Sequence, residues 1–150
     1  MALQSSVGVA VGISATLPAT HDNVGMAALT FTACGKLSTA APMTGTKDVA
    51  TFDNLTTGEE EKFADIMRAG AGDMSFGYDP TDAGQLIIET AADADGSGSN
   101  VALEFTLLNG DVYYRLAVIT SYMPDPQIGS VLMATVGAEF YKKHVKVDAA

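Results

Sequence analysis

The chain has 150 residues, a formal net charge of -10 from 18 acids against 8 bases, and a pI near 4.3. That acidity excludes a grip on nucleic acid built from lysines and arginines displacing phosphate counterions, and the single cysteine, Cys34, excludes an internal disulfide. Only 17% of residues are charged, below the roughly 25% of ordinary soluble domains, so much of the surface is either small and neutral or covered by other subunits.

The length suits one domain with a core that needs no metal or disulfide. No Lys or Arg precedes Lys36, so the charged front of a secretory signal is missing and the start reads as mature protein. No run reaches the ~20 apolar residues of a membrane span. Val7, Val9, Val11 and Ile13 alternate with small residues, which suits an extended arm or a first strand, and Pro18 ends it. After the polar turn "THDN", "MAALTFTACGK" reads as a strand with Leu29, Phe31 and Ala33 on one face and Thr30, Thr32 and Cys34 on the other. Cys34 reads as an interior strand position rather than an activated thiol.

Residues 37–58, "LSTAAPMTGTKDVATFDNLTTG", have only a short strand-like piece around "KDVATFD" and form the first candidate for a binding loop. "TTGEEEKFADIMRAG" predicts a short helix, with threonine caps, glutamates in the first turn, an edge of Phe63, Ile66 and Met67, and a glycine stop. "DMSFGY" returns to alternation with Met74, Phe76 and Tyr78 on one side. "YDPTDAGQLIIETAADAD" predicts the main helix, capped by Asp79, started by Pro80 and burying Ala83, Leu86, Ile87 and Ala91. The rest alternates as strands: "NVALEFTLL", a turn at Asn109-Gly110, "DVYYRLAVITSYM", a Pro124/Pro126 break, then "GSVLMATVGAEFYKK". About seven strands and one main helix predict a mainly β (α+β) fold, a β-sandwich or partial barrel with one flanking α-helix.

The stretch "DADGSGSNVALE" spaces Asp93, Asp95, Ser97 and Glu104 somewhat like a calcium loop. An EF-hand needs a helix on both sides, and the outgoing side alternates like a strand, with Glu104 facing away from Val101, Leu103 and Phe105. A solvated helix-to-strand loop is the better reading. His21 and His144 lack metal-ligand spacing, and neither a phosphate-binding glycine loop nor a nucleophile elbow occurs. No enzyme activity, metal or cofactor is expected.

Two stretches carry more than composition. Residues 17–38 and 74–91 resemble the major tail tube proteins of long, non-contractile-tailed bacteriophages, where an "ATxDxxG(F/M)xALTxTxxG" segment is followed by "xYDxxDxGQxxL". The matching residues are Ala19, Thr20, Asp22, Gly25, Met26, Ala28, Leu29, Thr30 and Gly35, then Tyr78, Asp79, Asp82, Gly84 and Gln85. "DVYYRLAVITSYMPD" followed by "SVLMATVGAEF" is similar to the family's closing strands, so the resemblance spans most of residues 13–141.

The resemblance implies a virion protein, made in the bacterial host cytoplasm, whose six-membered rings stack into a tube lined by one continuous β-barrel. It implies a tape measure protein inside the channel, tail terminator and tail-tip or baseplate proteins at the ends, double-stranded DNA passing without specific binding, and no membrane. Residues 37–58 become the stacking loop, with Thr44, Thr46, Lys47, Asp48, Thr51 and Asp53 as contacts. Residues 1–14 and 142–150 become arms that contact through Val9, Val11, Lys142, Lys143 and Lys146. Glu104, Asp111 and Glu139 are the candidate channel acids. Competing readings are the inner tube of a contractile tail or secretion-type injection system, and a monomeric sandwich that binds carbohydrate or calcium.

Overall fold

The computed structural model describes residues 3, 5, 7–126, 129 and 131–149, so Met1, Ala2, Gln4, Ser6 and Ala150 of the predicted arms, and Ser130 of the last predicted strand, lie outside it. Among the described residues the chain is mainly antiparallel β with one main helix. Seven strands form an open sheet in the order β2-β1-β7-β8-β9-β6-β3, and two more form a separate hairpin. The sheet strands are β1 (Ala10–Ser14), β2 (Thr32–Cys34), β3 (Leu37–Thr39), β6 (Ala71–Gly77), β7 (Asn100–Thr106), β8 (Val112–Asp125) and β9 (Met133–Val147). β4 (Thr46–Asn54) and β5 (Glu59–Arg68) make the hairpin. The main sheet does not close into a barrel: it ends at the short edge strands β2 and β3, each of three residues.

Alternation explains the sheet. Val11, Ile13, Met74, Phe76, Val101, Leu103, Phe105, Ala117, Ile119, Val136 and Ala138 point to one face and are fully buried there, with Ile88 and Ala91 of the helix α2 (Ala83–Asp93) packed among them. On the opposite face a smaller cluster of Met26, Ala102, Tyr114 and Leu116 is covered by Leu29 and Phe31. Met26 lies in the short helix α1 (Asn23–Ala27), so the predicted strand "MAALTFTAC" is a strand only from Thr32 onward. Asp22 is the reason. Its carboxylate accepts from the Gly25 amide at 2.7 Å and from the Thr20 hydroxyl at 2.9 Å, which nucleates a helical turn.

α2 stands where predicted, with two corrections. Asp82, not Asp79, is its cap: the Asp82 carboxylate accepts from Gln85 N at 3.0 Å, while Asp79 closes its own turn on Thr81 N and Oγ1 at 3.0 and 2.7 Å. The buried face is Gly84, Gln85, Ile88 and Ala91, whereas Leu86 is 46% exposed and Ala83 is also exposed. Gln85 is held by four partners. Its Nε2 donates to Gly35 O (3.2 Å) and Gly77 O (2.9 Å), and its Oε1 accepts from Asp79 N (3.2 Å) and the Tyr122 hydroxyl (3.0 Å). Asp82 also accepts from Gly35 N. The two sequence motifs therefore meet in space: the second docks α2 onto the Gly35 turn that ends the first. Cys34 lies behind this junction, and burial pushes its thiol up to about 12, leaving it inert.

Three further expectations are corrected. The helix predicted over "TTGEEEKFADIMRAG" is strand β5. The loop at 37–58 contains β3 and all of β4. The arm at 142–150 is mostly the end of β9, which pairs with β8 through Val112↔Val147 and Tyr114↔Val145.

Candidate assembly surfaces

The hairpin projects without cover. Every residue of β4 and β5 is exposed except Asn54 and Met67, which are half-buried. Its turn is specified locally: Asn54 Oδ1 accepts from Thr56 N at 3.0 Å, and Gly58, at φ +72, sends its amide to Asn54 O at 2.8 Å. The register pairs Ala50 with Phe63 and Phe52 with Glu61, so one face carries Phe52 and Phe63. It pairs Val49 with Ala64 and Thr51 with Lys62, so the other face carries Val49, while Ile66 lies at the register shift where Asp65 and Ile66 together oppose Asp48. All four side chains are between 56 and 61% exposed, and Leu55 at the tip is 95% exposed. A lone two-stranded ribbon is marginal in water. Large apolar groups bare on both faces are the features that mark contact surfaces in other proteins.

Of the predicted stacking residues, Thr46, Lys47, Asp48, Thr51 and Asp53 lie in β4 and Thr44 lies on the approach to it. Asp48 pairs with Arg68 across the hairpin at 2.8 Å. Sequence reasoning placed Phe63 and Ile66 on the edge of a helix and did not single out Phe52 or Leu55. The available signal was "KDVATFD" and "EEEKFADIM" flanking a turn-forming "NLTTG".

The predicted channel acids separate. Glu139 is exposed on the sheet face opposite the main core, where Asp73 joins it. Asp73 opposes Gly137 and Ala71 opposes Glu139, which makes the two acids diagonal neighbours across β6 and β9. Thr120 and Ser121 share this region at a register shift in β8, where both hydroxyls crowd Gly137. Asp111 is instead at the β7–β8 turn, where the Ala149 amide (2.8 Å) and Asn109 hold its carboxyl below the usual range. Glu104 is half-buried beside Tyr114. Burial raises its pKa, partly offset by the bond from the Tyr114 hydroxyl.

A raised pKa means the folded chain holds this proton more tightly than the unfolded chain. The associated stability is present below the ordinary glutamate range and is lost as pH rises through the raised value. Glu104→Gln should therefore melt a few degrees above the parent at about pH 8, and the gap should close toward about pH 4. Thermal melts at both pH values check this.

The arm residues are tied within the chain. Val11 is 1% exposed in β1, and Val9 is half-buried just before it. Lys146 contacts Asp148 at 2.9 Å and Asp111 at 4.0 Å. Lys142 adopts φ +60 and, like Lys143, is exposed, while the Lys143 carbonyl meets His21 Nε2 at 2.6 Å. The calcium-like residues do not converge. Asp93 ends α2, Ser97 sits in a 3-10 turn (Gly96–Ser99), and Glu104 is well inside β7. Among the described residues no group of three His, Cys, Asp or Glu is placed to hold a metal. Beside the free edge β3 lies an apolar groove of about 880 Å³, lined by Val7, Val9, Leu37, Ala41, Met43 and Leu107 among others.

Neither a protein-family model nor a curated protein matches this chain. Among solved structures, a chain of the cryo-EM structure of the anti-feeding prophage (AFP) baseplate, 6-fold symmetrised, matches with a TM-score of 0.55 at 13% identity. This chain shares its fold with that baseplate chain. The match covers 98% of this chain and 97% of that one. At this identity the likeness to the AFP baseplate chain lies in the arrangement of strands and helix, not in their side chains.

Proposed function

We propose that this chain is a structural virion protein of a phage tail, the subunit of stacked hexameric rings that make the tail tube. The observation that carries the reading is the β4–β5 hairpin, apolar on both faces and uncovered by its own chain. The hairpin is the inter-ring contact. Edges β2 and β3 join neighbouring copies around the ring, which removes exposed strand edges and closes the barrel that one chain leaves open. The groove beside β3 is filled in that union.

In this reading the face bearing Asp73 and Glu139 lines the channel. Carboxylates there repel phosphates, so double-stranded DNA slides through without being held. The tape measure protein occupies the channel beforehand, and terminator and tip proteins end the tube. The subunit assembles in the host cytoplasm and has no catalytic role. A second reading is favoured by the fold shared with a baseplate chain: a ring of the baseplate or of a contractile-type inner tube rather than of a long flexible tail.

Negative-stain microscopy of concentrated protein tests this. Open-ended rods are expected, while isolated single rings would favour the baseplate role. Excising residues 46–68 should leave a folded body, because the Gly45 backbone abuts Arg68 and Ala69 and a short glycine link can rejoin the ends. That variant should form no rods at any concentration. Rods unchanged by the excision, or a parent that stays monomeric, would overturn the proposal.

A further inference from the structure

Arg115 is the largest fully buried side chain among the described residues, 2% exposed near the start of β8. It shares the core face with Ala117 and Ile119, a position where an apolar residue would be expected. Burying a cation is costly, and among the described residues no carboxylate pairs with Arg115, whose burial lowers its pKa. A methionine would fill similar volume without that penalty. The gain must therefore lie in what the guanidinium touches.

It touches both legs of the hairpin. Nη1 donates to Pro42 O at 3.0 Å, on the irregular segment that leads into β4, and Nη2 donates to Ala69 O at 2.6 Å, directly after β5. The plane rests 4.0 Å above the Phe140 ring, and Nε is buried without a partner. The two terminal nitrogens, in a rigid planar fork, thus fix the separation and direction of the two carbonyls. Around this point the legs are packed closely. Gly70 O accepts from Phe140 N at 2.9 Å, and Gly72 lies against Ala41 and Pro42 so closely that a Cβ would meet Pro42 Cδ at 2.8 Å. Beyond this root the hairpin is exposed along both strands.

We infer that Arg115 is the pin that sets the hairpin's angle to the sheet by clamping the Pro42 and Ala69 carbonyls, so that the single chain already presents the hairpin in one direction. A partner then binds a preorganised element and does not have to order it. The inference concerns the isolated chain and stands or falls apart from the ring-stacking reading.

The test is a distance distribution between spin labels at Thr56→Cys, on the tip, and Glu89→Cys, on α2, with sedimentation confirming single chains. Cys34 stays unlabelled because it is buried and un-ionised. The parent background should give one narrow distance, and Arg115→Met should broaden it by at least about two-fold. If the methionine variant does not fold, Arg115→Lys is read instead, since it keeps the charge but not the fork. A folded variant that melts lower yet keeps the parental width overturns the inference and makes Arg115 a packing residue only. The unmutated chain supplies an independent reading by hydrogen exchange. An untethered hairpin frays at its open end, so the pin predicts that root amides of Lys47 and Met67 exchange at least about ten-fold slower than Asp53 and Glu60 near the tip. Faster exchange at the root would equally refute it.

Discussion

Gln85→Leu is expected to cost the folded chain about 3–5 kcal/mol in urea titration of dilute protein, with the m-value unchanged. The leucine fits the volume but can bond nothing. Gly35 O, Gly77 O, Asp79 N and the Tyr122 hydroxyl all lose their partner where Gln85 is 1% exposed. Each buried group left unsatisfied costs roughly 1–3 kcal/mol, and partial relaxation keeps the total below the sum. Tyr122→Phe is the control. It removes one bond and leaves Oε1 still bonded to Asp79 N, so it should cost about 1 kcal/mol. A Gln85→Leu loss no larger than the control's would mean that the helix is held by its apolar contacts and that the motif glutamine is incidental.

That result bears on what the sequence made legible. Strands β7, β8 and β9 could be read because the face toward the main core recurs with a period of two, as in Val101, Leu103 and Phe105, all fully buried, even though Ala102, Tyr114 and Leu116 are buried on the other face. The motif pair was also visible, through Asp82, Gly84 and Gln85, but its physical role was not. Hydrophobic periodicity assigns α2 a face of Leu86 and Ile87 because it cannot register a glycine contact or a satisfied buried amide.

The hairpin failed for the opposite reason. Neither face of β5 is covered within the chain, so no alternation is enforced, and Phe63, Ile66 and Met67 fit helical spacing by default. A surface whose burial is supplied by another molecule leaves little trace in single-chain patterning. Arg115 was passed over likewise, although its parity with Ala117 and Ile119 placed a charge on the core face of β8.

Gly84→Ala sets two effects of opposite sign against each other. Alanine in a helix is worth roughly 0.5–1 kcal/mol over glycine, so propensity alone predicts a stabilised chain. Packing predicts the reverse. A Cβ at position 84 would sit 2.6 Å from Ala33 O, 2.7 Å from Cys34 Sγ and 2.8 Å from Cys34 Cα, and two of these are backbone atoms that cannot rotate aside. Relief would require α2 to withdraw from β2, yet Asp82 and Gln85 tie the helix to Gly35, one residue past that strand. Over-packing of this kind costs roughly 1–3 kcal/mol or more, so the net change should be a loss of about 2 kcal/mol, and larger for Gly84→Val. Urea titration decides the sign. Because β2 is the sheet edge that would meet the next subunit, Gly84→Ala should also raise the concentration needed for rods, even at temperatures where the single chain remains folded. A stabilised variant would show that helix and strand are farther apart than the glycine contact implies, and that the second motif serves something other than docking α2.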